Sequence, residues 1–249
     1  MDVMSETRQV AVTVAMPFED VVARIPFLRA LGDAERERLR PYAEVRALGA
    51  GESIWAYDDP LQHYMFLIEG HVKLTRPTEN GREVILDVGG PGELLCSGAV
   101  SSFSPACCAC VAFGDGVKVV VLPRRDLLHV VEQSPAAASA FVRESTGREM
   151  RLGKRIVELA SGQVEQRVAA LLLRLADQLG TERDSGAIKI ELHLSRQDLA
   201  DLCGTTLETA IRTMTKLARE DIVRTVSSGF LITDRAGLQR LARGEPKTK

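Results

Sequence analysis

The chain has 249 residues, 45% of them hydrophobic and 27% charged, with a formal net charge of −2. That is enough apolar sequence to bury a core without disulfide or metal staples, and it suits one large domain or two smaller ones. No apolar run approaches the roughly 18 residues that cross a bilayer, and the near-neutral total excludes a polycation.

The N-terminal stretch MDVMSETRQVAVTVAMP has acidic residues before its only Arg and no long apolar segment. It reads as a loose extension over residues 1–17, not as a secretory signal, which places the protein in the cytoplasm with reduced thiols and no membrane contact. Residues 17–40 spell short helices. Val21, Val22, Ile25, Phe27, Leu28 and Leu31 are interleaved with charge, and Asp33 is placed to cap the next turn.

From Ala43 to Leu122 the pattern changes. Short β-prone runs (YMFLI, HVKLT, EVILDV, CVAF, VKVVVL) are separated by Gly, Pro and the hairpin signal Asn80-Gly81. Many short strands at regular spacing predict a small antiparallel roll over residues 18–133. After Pro123, RRDLLHVVEQ predicts a short helix. Ser134-Pro135 then supplies an N-cap followed by Pro at the first helical position. A long helix over 134–160 follows, with Phe141, Leu152, Ile156 and Leu159 spaced as one seam that Ser145 and Arg148 interrupt. Ser161-Gly162 restarts a helix, and residues 161–249 read as a mostly helical domain. That domain carries fourteen Lys and Arg against twelve Asp and Glu, a mild footprint for an anionic partner.

The strongest local motif is LSRQDLADLCGTTLETAIRTMTKLAREDIV, Leu194 to Val223. Ser195 with Asp198 forms a capping box that opens one helix. Gly204 permits a tight turn, and Thr205 or Thr206 caps a second helix. There Ala210, Met214 and Leu217 make a core-facing stripe, while Glu208, Ile211, Arg212 and Thr215 share the other face. Arg can take guanine O6 and N7, and Glu can accept from a cytosine amino group in the major groove. Two capped amphipathic helices also occur in domains that bind no DNA. The flanking pattern favours DNA: IVRTVSSGFLITD alternates like a hairpin around Ser228-Gly229, Ile188–Leu192 supplies another strand, and Arg224 and Ser227 suit phosphate contact from a wing. The sequence therefore predicts an α+β chain: an antiparallel, jelly-roll-like β-roll, a long connecting helix over 134–160, which the family resemblance makes the dimerisation helix, and a C-terminal winged helix-turn-helix.

This three-part order resembles the CRP/FNR family of bacterial transcription regulators over about residues 18–243. Gly92-Glu93-Leu94 matches a β-roll element, and Thr206-Leu207-Glu208-Thr209-Ala210-Ile211-Arg212 matches the family's [T/S]-x-E-T-x-x-R signature. The resemblance implies a homodimer on a palindromic promoter site, RNA polymerase as a further partner, and an effector sensed in the roll. It assigns base reading to Glu208 and Arg212 on a helix over 206–219. Thr206, Ile211 and Thr215 flank these two, and Ser195, Arg196, Arg224 and Ser227 surround them.

The resemblance also marks an effector cassette at Gly92, Glu93, Cys96, Ser97, Cys107 and Cys108. Aligned with cyclic-nucleotide binders, Ser97 falls where a ribose-binding Glu is expected, Cys107 where the phosphate-binding Arg is expected, and Cys108 where Ser or Thr is expected. Without that Arg the charge-assisted bond to a cyclic phosphate is lost, which argues against cyclic AMP. The closely spaced N-terminal cysteines of oxygen-sensing relatives are missing too, since residues 1–95 contain no Cys.

Four of the five cysteines, Cys96, Cys107, Cys108 and Cys110, crowd this region. Strand alternation puts Cys108 and Cys110 on one face and Cys107 on another, and C-C-x-C is not a zinc knuckle. Four readings stay open. They are plain packing, a thiol sensor pairing Cys96 with Cys107, haem with Cys96, His63, His71 or His129 as axial ligand, and an iron–sulfur cluster. Cys203 in the motif's turn reads as packing. A ligand of another kind, a small anion or organic acid, is the second functional reading. A Cys-dependent enzyme is the third, and it lacks any accompanying His or Asp motif.

Overall fold

The computed structural model describes residues 11–79, 83–95, 104–160 and 162–245. Residues up to Arg148 form one compact unit and those from Glu149 a second.

The described part of the first unit begins with a two-residue edge strand inside the N-terminal stretch. Strand β1 (Val12–Thr13) pairs antiparallel with β2 (Glu44–Leu48), and the Thr13 hydroxyl donates to Glu44 at 2.6 Å. Three short helices follow, α1 (Phe18–Arg24), α2 (Pro26–Arg29) and α3 (Asp33–Leu39). They deliver Phe18, Val21, Ile25, Phe27, Leu28 and Leu39 to the core. Asp33 does not cap α3. Gly32 is the N-cap, and Asp33 is the first helical residue, bonded to Arg36 one turn on.

The roll adds β3 (Ser53–Trp55), β4 (His63–Pro77), β5 (Glu83–Gly89) and β6 (Ala109–Pro123). The sheet order is β1-β2-β6-β4-β5, with β3 also on β6, and every pairing is antiparallel. Runs predicted as separate strands are continuous here. YMFLI and HVKLT lie in β4, and CVAF and VKVVVL in β6, because glycines bend each strand without ending it. The β4–β6 register shifts on either side of Glu69, and a Cβ on Gly70 would sit 2.2 Å from the Gly116 carbonyl. Asn80-Gly81 lies outside the described residues.

Helix α4 (Arg124–Gln133) has the expected span, and α5 (Pro135–Ala160) runs 26 residues from a Ser134 cap whose Oγ accepts from the Ala137 N–H. Its N-terminal half belongs to the first unit. Phe141 meets Phe27 and Tyr64 edge-on, and Phe27 stacks on Phe66. The predicted seam therefore shifts: Phe141 is taken up by this aromatic cluster. The exposed large apolar residues of α5 are Val142, Met150, Ile156, Val157 and Leu159.

In the second unit α6 (Val164–Leu179) starts after a Gln163 cap, just past the Ser161-Gly162 break. A sheet of order β7-β8-β10-β9 follows, built from β7 (Gly180–Glu182), β8 (Ile188–Ile190), β9 (Val223–Val226) and β10 (Gly229–Ile232). Helices α7 (Arg196–Leu202), α8 (Leu207–Arg219) and α9 (Arg235–Arg243) complete the unit, with α8 and α9 packed on α6. Among the described residues no helix is long and apolar enough to cross a membrane.

Candidate functional site

The helix-turn-helix is built from local rules. The Ser195 hydroxyl accepts from the Asp198 N–H at 3.0 Å, and Asp198 accepts from the Ser195 N–H at 3.0 Å, closing the capping box of α7. Gly204, at φ +57°, turns the chain in a region that other residues rarely enter. Thr206, not Thr205, then caps α8 by accepting from the Thr209 N–H at 3.3 Å. Ala210, Met214 and Leu217 are buried as the periodicity predicts, together with Thr213.

The opposite face of α8 is left to solvent. Leu207, Glu208, Ile211, Arg212 and Thr215 are all exposed, and among the described residues neither Glu208 nor Arg212 has a hydrogen-bond or ion-pair partner. Thr215 bonds its own helix at the Ile211 carbonyl, 2.9 Å away. Two uncommitted charged groups one turn apart, flanked by exposed Leu207 and Ile211, can meet base edges and thymine methyls.

The wing is a two-residue hairpin. Val226 pairs with Gly229, so Ser227 and Ser228 form its tip, and Ser227 is exposed. Arg196 at the start of α7 donates to the Thr225 hydroxyl on β9 at 2.9 Å, which fixes the wing against α7. A cleft of about 350 Å³ lies there, lined by His193, Ser195, Asp198, Thr225, Gly229 and Phe230 among others. Arg224 is partly neutralised, since its guanidinium holds Asp221 at 2.7 Å.

The described part of the effector cassette is pinned by main-chain bonds. The Gly92 N–H donates to Leu67 at 2.7 Å, the Glu93 carbonyl accepts from the Leu67 N–H at 3.0 Å, and the Leu95 N–H donates to Met65 at 2.8 Å. Helix α5 reaches the same segment. Glu144 accepts from the Leu94 N–H at 3.2 Å, and Arg148 donates to the carbonyls of Leu94 at 3.2 Å and Leu95 at 2.9 Å. The Arg148 guanidinium is thus engaged by main chain at the cassette. Cys96 and Ser97 lie outside the described residues.

Cys107 is exposed, whereas Cys108 and Cys110 are buried in the roll, and the carbonyl of Cys108 accepts from the Trp55 indole N–H at 2.8 Å. Among the described residues no three His, Cys, Asp or Glu side chains gather as a metal site. His63 starts β4 and His71 lies farther along the same strand, where burial lowers the pKa of each imidazole. His129 on α4 shares a 3.1 Å contact with Gln133. Cys203 is buried in the helix-turn-helix turn, and desolvation pushes its thiol up to about 12 against the pull of Arg155, Arg167 and Arg174.

Sequence reasoning passed over Glu144, Arg148, Arg155 and Arg167. Their partners at the cassette and at the helix-turn-helix turn lie 36 to 54 residues away in the chain, so no local pattern announces them. Arg148 did leave a trace, as the polar residue that breaks the apolar seam.

Comparison with known proteins agrees with this geometry. Residues 166–241 match a Crp-like helix-turn-helix domain and residues 45–134 a cyclic nucleotide-binding domain. The transcriptional activatory protein AadR of Rhodopseudomonas palustris is 32% identical over 216 residues, which is 85% of this chain and 87% of the relative. The CRP-like cAMP-activated global transcriptional regulator of Mycobacterium tuberculosis is 28% identical over 194 residues, 78% of this chain and 85% of the relative. The fold resembles that of FixK2 from Bradyrhizobium japonicum, with a TM-score of 0.70 at 22% identity over 83% of this chain and 99% of that one. These relatives are regulators and not enzymes, and with a roll, a long helix and a winged helix-turn-helix in the same order, the chain belongs to the CRP/FNR family of DNA-binding transcription regulators.

Proposed function

We propose that the protein binds a palindromic promoter site as a homodimer and reads each half-site with α8. The observation that carries this reading is the exposed face of that helix, where Glu208 and Arg212 stand one turn apart with no hydrogen-bond or ion-pair partner among the described residues. Arg212 takes a guanine and Glu208 the paired or neighbouring cytosine, while Thr206, Ile211 and Thr215 set the flanking preference. Ser195, Arg196, Arg224 and Ser227 contact phosphates, which position the protein without reading sequence.

Dimerisation uses α5. Val142, Met150, Ile156 and Val157 lie on one side of it at 100° per residue, and Gly153, with open space around it, falls within the stripe. An exposed apolar stripe on a long helix suits a second copy of the same helix. The dimer then engages RNA polymerase at the promoter.

The signal enters through the roll and is not cyclic AMP. Support comes from Cys107, which stands at the place where the resemblance puts the phosphate-binding arginine and carries no guanidinium, and from Arg148, whose guanidinium is already bonded to main-chain carbonyls. A small anion or organic acid is the second reading, favoured by the cAMP-activated relative. The absorption spectrum of protein purified without oxygen separates haem or iron–sulfur sensing from bare thiols and from colourless ligands.

The DNA reading is tested by gel shift on a site selected from a random library. Arg212→Ala is expected to lower affinity for that site about ten-fold or more, the equivalent of one lost bidentate base contact, with binding to scrambled DNA nearly unchanged. Wild-type discrimination in the variant overturns it.

A further inference from the structure

The turn of the helix-turn-helix is held from below by two arginines that no DNA-contacting role explains. The last carbonyls of α7 need partners outside the helix. Those of Leu199, Ala200 and Asp201 find them in the N–H groups of Cys203, Thr205 and Gly204. The next three carbonyls turn to guanidinium groups. Arg155 on α5 donates to Leu202 at 3.0 Å. Arg167 on α6 donates to Cys203 at 2.9 Å and, more weakly, to Gly204 at 3.4 Å. Arg167 also holds the Gly162 carbonyl at 3.2 Å, ahead of α6.

These contacts are more than surface decoration. Arg155 is only 5% exposed, so its charge is kept out of water for the sake of a turn. A cation at a helix C-terminus is favoured by the helix dipole, and charged donors make the stronger hydrogen bonds. The chain makes its left-handed turn at Gly204, the last of the clamped residues, and Thr206 then caps α8. Leu159, four residues after Arg155, approaches the same turn and would lie 3.6 Å from a Cβ on Gly204. The direction in which α8 leaves the turn is therefore set by where α5 and α6 place two guanidinium groups.

We propose that Arg155 and Arg167 are positioning residues for DNA recognition: they fasten the helix-turn-helix turn to the end of α5 and the start of α6, so the register in which α8 meets the bases follows those helices. This rests on α8 being the reading helix. Neither arginine touches DNA. A displacement of the last turns of α5 is passed to α8 through the carbonyl of Leu202, with no ligand or flexible loop between them.

The test uses the full-length protein and two DNA probes, the library-selected site and a scrambled duplex, with affinity measured by fluorescence anisotropy across a salt series. Arg155→Met and Arg167→Met each remove the donors while keeping most of the side-chain volume. Each is expected to reduce the ratio of specific to scrambled affinity five-fold or more, with scrambled affinity and its salt slope unchanged. Arg155→Lys, which keeps one donor and the charge, is expected to recover part of the ratio. Arg167 is the more exposed of the two, so its variant supplies the answer if Arg155→Met fails to fold. A folded Arg167→Met protein with wild-type discrimination overturns the proposal. So does a parallel loss of both affinities, which marks a purely structural role. Arg212→Ala is run beside them. If it abolishes discrimination while the methionine variants keep it, the positioning role alone is wrong. If it too keeps discrimination, α8 is not the reading helix, and the proposal falls with that reading.

Discussion

At the scale of single residues, the cysteines show how far sequence reasoning reaches. Strand alternation puts Cys108 and Cys110 on one face and Cys107 on another, but Cys107 and Cys108 lie in a bend ahead of β6, and only Cys110 is in the strand itself. What alternation could not supply is depth. Cys107 faces solvent, while Cys108 and Cys110 are buried beside Trp55. The turn cysteine, Cys203, is in a different situation again, since burial outweighs three nearby arginines and drives its pKa to about 12. Only the thiolate reacts, so the sites differ in chemistry as well as access. Brief alkylation of the native protein at pH 8, read by peptide mass spectrometry, is expected to label Cys107 within minutes. Cys203 is expected to react on the order of a thousand-fold more slowly than a free thiol until the protein is unfolded. Equal labelling of the two would show that the turn opens readily and that its arginine clamp is weak.

At the scale of elements, what was legible followed from local chemistry. Helix α4 and the start of α5 were readable because Pro123 and Ser134-Pro135 punctuate them, and α7 and α8 because a capping box, a glycine and a threonine cap recur at fixed offsets. The long strands β4 and β6 were read as pairs of short ones, because glycines that bend a strand look in sequence like glycines that end it. The seam of α5 was misplaced for a related reason. Helical periodicity finds an apolar face but not its partner, and Phe141 belongs to the cluster with Phe27 and Tyr64. The solvent-facing stripe keeps Ile156 from that seam and runs otherwise through Val142, Met150 and Val157. Ile156 is 67% exposed, so replacing it costs the isolated chain little. Ile156→Asp is expected to leave the melting temperature of a dilute sample nearly unchanged and to shift the sedimenting species from dimer to monomer, because like charges would then face each other across a two-fold axis. A variant that remains dimeric at micromolar concentration places the interface elsewhere.

At the scale of the whole molecule, α5 is the one described helix that belongs to both compact units. Within the first unit it is fastened by Phe141, Glu144 and Arg148, and within the second by Arg155. Between Arg148 and Arg155 lie about two turns of helix, with Gly153 inside them. A glycine there costs about 1 kcal/mol of helix stability relative to alanine, and a proline about 3. The helix thus ties the folding of the two units together through a segment of low intrinsic stability. Heating the wild-type protein is expected to give one calorimetric transition, since melting either unit frees part of a helix the other needs. Gly153→Pro removes the N–H that bonds residue 149 and interrupts the helix between the anchors, while every fastening residue within each unit is retained. The variant is expected to show two resolved transitions, each with a smaller enthalpy than the single wild-type one. Gly153→Ala is expected to keep one transition and raise its midpoint. If the proline variant still melts in a single step, the units are coupled through contacts other than α5. The Arg155 clamp would then transmit motion only from the final turns of that helix and not from the roll.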